Sequence, residues 1–188
     1  MSSTVEAEPL FRSAHAALMF ALNYRHGSIK MSGLARAMGG GRTGRGLGGL
    51  DGAAQAGMIR AEIERLTPVR RRLLIGRHAP QQVPCQCRQP CCRGWVEGDD
   101  WRESVNWLTE YALLQGLTGT VSHYRLRRTL VCRYLGVKES FQAMAAACGV
   151  DRDTASAYHK RVSEHFRTEE RAATYEIEAA LKAAGMVG

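Results

Sequence analysis

Apolar residues along the chain recur at spacings of three and four, while the apolar–polar alternation of half-buried strands is almost absent. In "PLFRSAHAALMFALNY", residues 9–24, Phe11, Leu18, Met19, Phe20 and Leu22 form a broad apolar face, and Pro9 or Ser13 can start the helix. "GAAQAGMIRAEIERLTP", residues 52–68, reads as a second helix with Ala54, Met58, Ile59, Ile63 and Leu66 inward, and Pro68 ends it or begins the next turn. "VRRRLLIGRHAP" adds a short basic segment that ends near His78, with a further helical turn. Residues 99–117 carry Val105, Leu108, Ala112 and Leu113 on one face, with Trp101 and Tyr111 nearby. Asp99 or Asp100 can cap that helix, Glu103 completes a capping box with Asp100, and Gly116 is a C-terminal stop. "SHYRLRRTLVCRYLG" opens at Ser122 and closes at Gly136, two short helices follow over residues 140–166, and the tail makes a last helix with Ala173, Ile177, Ala180, Leu181 and Ala184 in a stripe. The pattern predicts a mostly α, compact helical protein without internal repeats. Its parts are an N-terminal helical region at 1–78, a cysteine-rich knot at 79–98 and a second helical region at 99–188.

Glycine changes the picture within the first region. Of 20 glycines many cluster in "MGGGRTGRGLGGLDG", residues 38–52, a density expected to interrupt regular structure and leave a basic loop carrying Arg42 and Arg45. Gly39 to Gly44 has the spacing of a phosphate-binding loop, but Arg45 and Gly46 stand where Lys and Ser/Thr are needed, and no strand precedes it. The chain of 188 residues carries a net charge of +8, which suits a polyanionic partner such as nucleic acid. The acidic start "MSSTVEAEPLF" does not resemble a secretory signal, and no run of about 18 apolar residues suggests a membrane span. The expected location is therefore the cytoplasm, where stable disulfides are rare.

That location bears on "CQCRQPCC", residues 85–92, where four of the six cysteines, Cys85, Cys87, Cys91 and Cys92, are crowded together. Thiolates hold tetrahedral zinc, and ligand pairs are usually separated by two to four residues, as Cys87 and Cys91 are. The other spacings are tighter. Either all four cysteines hold one ion, with Pro84 and Pro90 bending the chain, or three do and His78 supplies the fourth ligand. The rival reading is a set of reduced surface thiols or a redox-labile pair. Four thiolates leave no open position for water, so the zinc would be structural. Cys132 and Cys148 fall on apolar helix faces and read as small core residues.

The strongest local motif lies at about 140–166. Ser140 caps a helix with Phe141, Met144, Ala145 and Cys148; Gly149 and Val150 make a turn; a second helix from Asp151 directs Ala155, Tyr158 and Val162 inward. This is the grammar of a helix-turn-helix: a small residue at the crossing, a glycine for positive φ, an apolar residue at the corner. The second helix would present Arg152, Asp153, Thr154, Ser156, Ala157, Lys160 and Arg161 to base edges and phosphates of double-stranded DNA. The preceding helix adds Arg125, Arg127, Arg128 and Arg133. An ordinary helical hairpin with solvated charges is the plainer alternative.

"SAHAALMFALNY", "GLGGLDGAAQAGMIR", "PCQCRQPCC", "SHYRLRR" and "GVDRDTASAYHKRV" together resemble phage Q-type transcription antitermination proteins, most closely the AlpA-like group. The resemblance covers nearly the whole chain. It implies a helix-turn-helix similar to region 4 of σ factors, which reads the −35 element. It implies a factor that binds DNA near a promoter, loads onto paused RNA polymerase and narrows the RNA exit channel against terminator hairpins; σ or elongation factors are further possible partners. Arg152, Asp153, Thr154, Ser156, Lys160 and Arg161, with Arg125 and Arg128, would then contact DNA, and Arg42 and Arg45 would lie beside polymerase or emerging RNA. A plain helix-turn-helix repressor or activator acting at an operator is the alternative, with the stripe around Ile177 and Leu181 as a dimer surface. An enzyme is not expected: Asp99, Asp100 and Glu103 read as capping residues, and no carboxylate cluster suited to metal-assisted hydrolysis is present.

Overall fold

The computed structural model describes residues 9–24, 49–87, 89, 93–119 and 123–188. Among these lie seven helices and one two-stranded hairpin: α1 (Ala14–Asn23), α2 (Gly49–Arg65), α3 (Pro68–His78), β1 (Gln82–Pro84), β2 (Trp95–Glu97), α4 (Asp99–Leu114), α5 (Tyr124–Tyr134), α6 (Phe141–Cys148) and α7 (Arg152–Ala183). The mostly helical class expected from periodicity is what the chain adopts. It divides into two compact units, one of residues 1–66 with 174–188, the other of residues 67–173.

In the first unit Ser13 caps α1 by accepting from the Ala16 amide at 3.2 Å. Phe11, Leu18, Phe20 and Leu22 are buried as the sequence predicts. Phe11 donates its N–H to the Met186 carbonyl at 2.9 Å, which brings the two ends of this unit together. α2 differs from expectation. It begins at Gly49, inside the glycine-rich segment, and buries Gly52, Ala56, Ile59 and Ile63, leaving Ala54 and Met58 exposed. The inward stripe follows the helix's 3.6-residue period through small residues, whose weak hydrophobicity concealed it.

In the second unit the basic segment after Pro68 is a full helix. Pro68 occupies the first position, where its missing N–H costs nothing, and Leu73, Leu74 and Ile75 are buried. α4 is capped differently from the sequence reading. Gly98 is the N-cap with no side-chain bond, Asp99 pairs with Arg102 at 2.7 Å and Glu103 with Arg72 at 3.3 Å, so no capping box forms. Gly98 is required by close approach: a Cβ there would lie 2.2 Å from the Pro80 carbonyl oxygen. Gly98 N–H also bonds the Gln81 carbonyl at 3.1 Å, closing the base of the hairpin. That hairpin, with Val83 paired to Val96, is too short for alternation to reveal it.

α7 is one helix of 32 residues where two were expected. Ala155, Val162, Phe166, Ala173, Ile177 and Leu181 form a continuous buried stripe along it, and no glycine or proline interrupts it. It is tied to α3 and α5 by a half-buried polar network. Arg77 clasps Glu170 through Nε at 2.7 Å and Nη2 at 3.1 Å, and the Tyr134 hydroxyl donates to the same carboxylate. The Arg77 guanidinium also lies 5.0 Å from the Tyr134 ring centroid. Burial opposes ionisation of Glu170, but the bonds from Arg77 and Tyr134 outweigh it and hold the carboxyl below its ordinary range.

A lowered carboxyl stabilises the fold above the unfolded value and loses that contribution as pH falls through the folded one. The melting temperature should therefore drop on acidification below the ordinary carboxyl value of 4.5, and Glu170→Gln should remove part of that acid dependence. At neutral pH the same substitution should cost about 1–3 kcal/mol by urea denaturation, because it leaves Arg77 with a neutral partner.

Candidate functional site

The exposed end of α7 is built by a short local code. Ser140 caps α6, its hydroxyl accepting from the Ala143 amide at 3.1 Å. α6 ends at Gly149 in the left-handed region, φ 64° and ψ 33°. Val150 then donates to the Ala145 carbonyl at 3.1 Å, which satisfies a carbonyl at the helix end. Asp151 starts α7, its Oδ1 accepting from the amides of Asp153 at 2.7 Å and Thr154 at 3.4 Å. Leu126 and Leu130 of α5, Met144 and Ala145 of α6 and Ala155 of α7 form one buried cluster, with Phe141, Cys148, Val150 and Tyr158 packed against it. Three helices and a tight turn thus share a small core of their own.

The residues singled out in the sequence distribute around this core. Arg152, Asp153, Thr154, Lys160 and Arg161 are exposed in the first three turns of α7, and Ser156 is half-buried. Arg152 and Asp153 lie 3.8 Å apart with side chains 69% and 89% exposed, an arrangement that water screens heavily. The Arg161 guanidinium lies 5.7 Å from the Tyr158 ring, whose face helps hold its stem. Arg125 is exposed in the first turn of α5.

Arg128 has other commitments. Its Nη2 donates to both Glu97 oxygens at 3.0 Å, and its guanidinium sits 5.9 Å from the Trp101 ring. Arg127 is buried, 3.9 Å from Glu110 and 5.9 Å from the Tyr124 ring. A run of arginines on a short helix therefore divides between solvent and structure, which the sequence pattern alone did not distinguish. Cys132 is buried as expected, and burial pushes its thiol up to about 11, with Glu97 and Glu139 adding to the effect against Arg128.

The cysteine segment is joined to the β1–β2 hairpin at both ends, where the Cys85 amide donates to the Gly94 carbonyl at 2.8 Å. The Cys87 amide approaches Cys85 Sγ at 3.5 Å. Cys91 and Cys92, like Arg42 and Arg45, lie outside the described residues. Among the described residues no group of three or more His, Cys, Asp or Glu side chains is placed to hold a metal ion, so Cys85, Cys87 and His78 do not form one. His78 instead adds its charge to the environment of Glu170.

One feature escaped the sequence reading. An open cavity of about 510 Å³ lies beside the linker from α5 to α6, bordered by Arg133, Lys138, Ser140 and His159. Its residues come from two helices and a linker, and no local motif announces them. Compared with protein-family models, curated proteins and solved structures, the chain matches none.

The turn at Gly149 is open to test, since nothing lies within 4 Å of a Cβ placed there and the cost is purely conformational. Gly149→Ala should destabilise by about 1–2 kcal/mol in urea titrations. Gly149→Asn should cost less, because asparagine tolerates the left-handed region.

Proposed function

We propose that the protein is a DNA-binding transcription antitermination factor, with α6, the Gly149 turn and the start of α7 acting as a helix-turn-helix of the kind found in region 4 of σ factors. The observation that carries the DNA-binding part is the exposed cationic end of α7, raised on the cluster of Leu126, Leu130, Met144, Ala145 and Ala155. Arg152, Lys160 and Arg161 supply the attraction to phosphate, while Asp153, Thr154 and Ser156 offer acceptors and hydroxyls to base edges. Arg125 adds a phosphate contact. Arg128 joins the DNA contact only by leaving Glu97, so its first role is to hold β2 against α5.

The remaining steps rest on the resemblance to Q-type antitermination proteins. The factor binds near a promoter, transfers to RNA polymerase and suppresses downstream termination, with Arg42 and Arg45 near polymerase or the emerging RNA. A structural zinc ion on Cys85, Cys87, Cys91 and Cys92 is proposed from their spacing in the sequence. The Cys87 amide 3.5 Å from Cys85 Sγ is a donor of the kind that stabilises a thiolate ligand, and the strands fix both ends of the ligand segment. Four thiolates would leave the ion no open coordination position.

Three outcomes test the reading. Arg152→Ala with Lys160→Ala should abolish specific DNA binding in an anisotropy titration while leaving the circular dichroism spectrum unchanged; binding that survives sinks the α7 assignment. The purified protein should carry one equivalent of zinc by metal analysis, and Cys85→Ser should lose it. In transcription in vitro, with the native promoter followed by an intrinsic terminator, added protein should raise read-through in a manner that depends on promoter-proximal DNA. A change in initiation without a change in termination would instead identify an operator-binding regulator.

A further inference from the structure

The cavity beside the α5–α6 linker has no part in the reading above. Its two cationic residues are Arg133 at the end of α5 and Lys138 in the linker, and His159 of α7 also lies on its wall. Arg133 is held rigidly. Its guanidinium stacks 4.2 Å from the Phe141 ring centroid, and Nη1 donates to the Glu139 carbonyl. Its Nε–H is buried without an acceptor among the described residues. Lys138 is exposed and has no ion-pair partner among them. α6 begins beside this cavity, where Ser140, on its wall, caps the helix by accepting from the Ala143 amide, so the positive end of the helix dipole lies nearby.

Arg133 and Lys138 outnumber Glu139, the one acid on the cavity wall, and His159 adds no charge to them at neutral pH. Burial lowers the His159 imidazole, and the charges of Arg133 and Arg167 lower it further. A tetrahedral oxyanion answers each of these features. It offers several acceptors at once, fits the mouth of a helix N-terminus and balances Arg133 and Lys138 without a proton transfer.

We infer that this cavity binds a phosphate group through Lys138 and Arg133, beside the N-terminus of α6. Two sources share that chemistry, a phosphodiester of the DNA backbone and free phosphate. The first rests on the DNA-binding reading and deepens it by placing a backbone contact away from the exposed end of α7; the second is independent of it.

The test uses the full chain labelled with 15N and titrated with inorganic phosphate, alongside anisotropy measurements with duplex DNA at several salt concentrations. Phosphate should shift the Lys138, Phe141 and Gln142 amides saturably, and Lys138→Gln should weaken that response at least several-fold. If DNA is the source, Lys138→Gln should also lower affinity for any duplex and reduce the salt slope by about 1. If free phosphate is the source, the amide shifts appear but the slope does not change. Arg133→Lys, which keeps the charge and loses the planar fork, should weaken phosphate binding while leaving the circular dichroism spectrum unchanged. No saturable shift, together with an unchanged slope in Lys138→Gln, overturns the site. The DNA-binding reading survives that result if Arg152→Ala with Lys160→Ala still abolishes DNA binding, so the two failures are distinguishable.

Discussion

Within the second unit the grip of Arg77 and Tyr134 on Glu170 sets how three helices meet. Each partner comes from a different helix, and the carboxylate can satisfy both only at one rotation of α7. Phe166, one turn earlier on α7, packs edge-on against the Tyr134 ring at 5.3 Å, so the polar clasp and the apolar contact select the same register. Half-buried ion pairs of this kind contribute modest net stability but penalise alternatives that leave a charge unmatched. Arg70 and Glu169, 2.9 Å apart, repeat the α3–α7 link one position away.

That register decides what the first turns of α7 can present. The stripe of Ala155, Val162 and Phe166 must face inward, which leaves Arg152, Asp153, Lys160 and Arg161 toward water. Charge on this end is therefore a by-product of packing as much as of composition. The small core of α5, α6 and α7 completes the arrangement: Ala155 is small where helices approach, and Gly149 takes the backbone through a conformation that side chains disfavour.

Much of this was legible from residue order. The α6 cap at Ser140, the left-handed Gly149, the corner residue Val150 and the inward set Ala155, Tyr158 and Val162 each follow from local stereochemistry, and local rules need only neighbouring residues. Places where the reading departed depend on long-range partners. Glu103 turned from a capping role to Arg72, and Arg127 and Arg128 turned from solvent to Glu110, Glu97 and the aromatic rings. The helix after Pro68 looked like a basic segment because Arg70 and Arg77 are partnered by Glu169 and Glu170, far along the chain. The cavity at Arg133, Lys138 and His159 was invisible for the same reason: it exists only once α5 and α7 are packed.

The close approach at Gly98 bears on the cysteines in an entropic way. Pro80 and Gly98 pin the base of the hairpin, three residue pairs zip its stem, and the Cys85–Gly94 bond shuts its mouth. The two ends of the cysteine segment, Cys85 and Gly94, are thereby held together by backbone contacts alone. The logarithmic cost of bringing distant ends together has already been met by backbone contacts. A metal site of the kind proposed on the cysteines would therefore not have to meet that cost a second time.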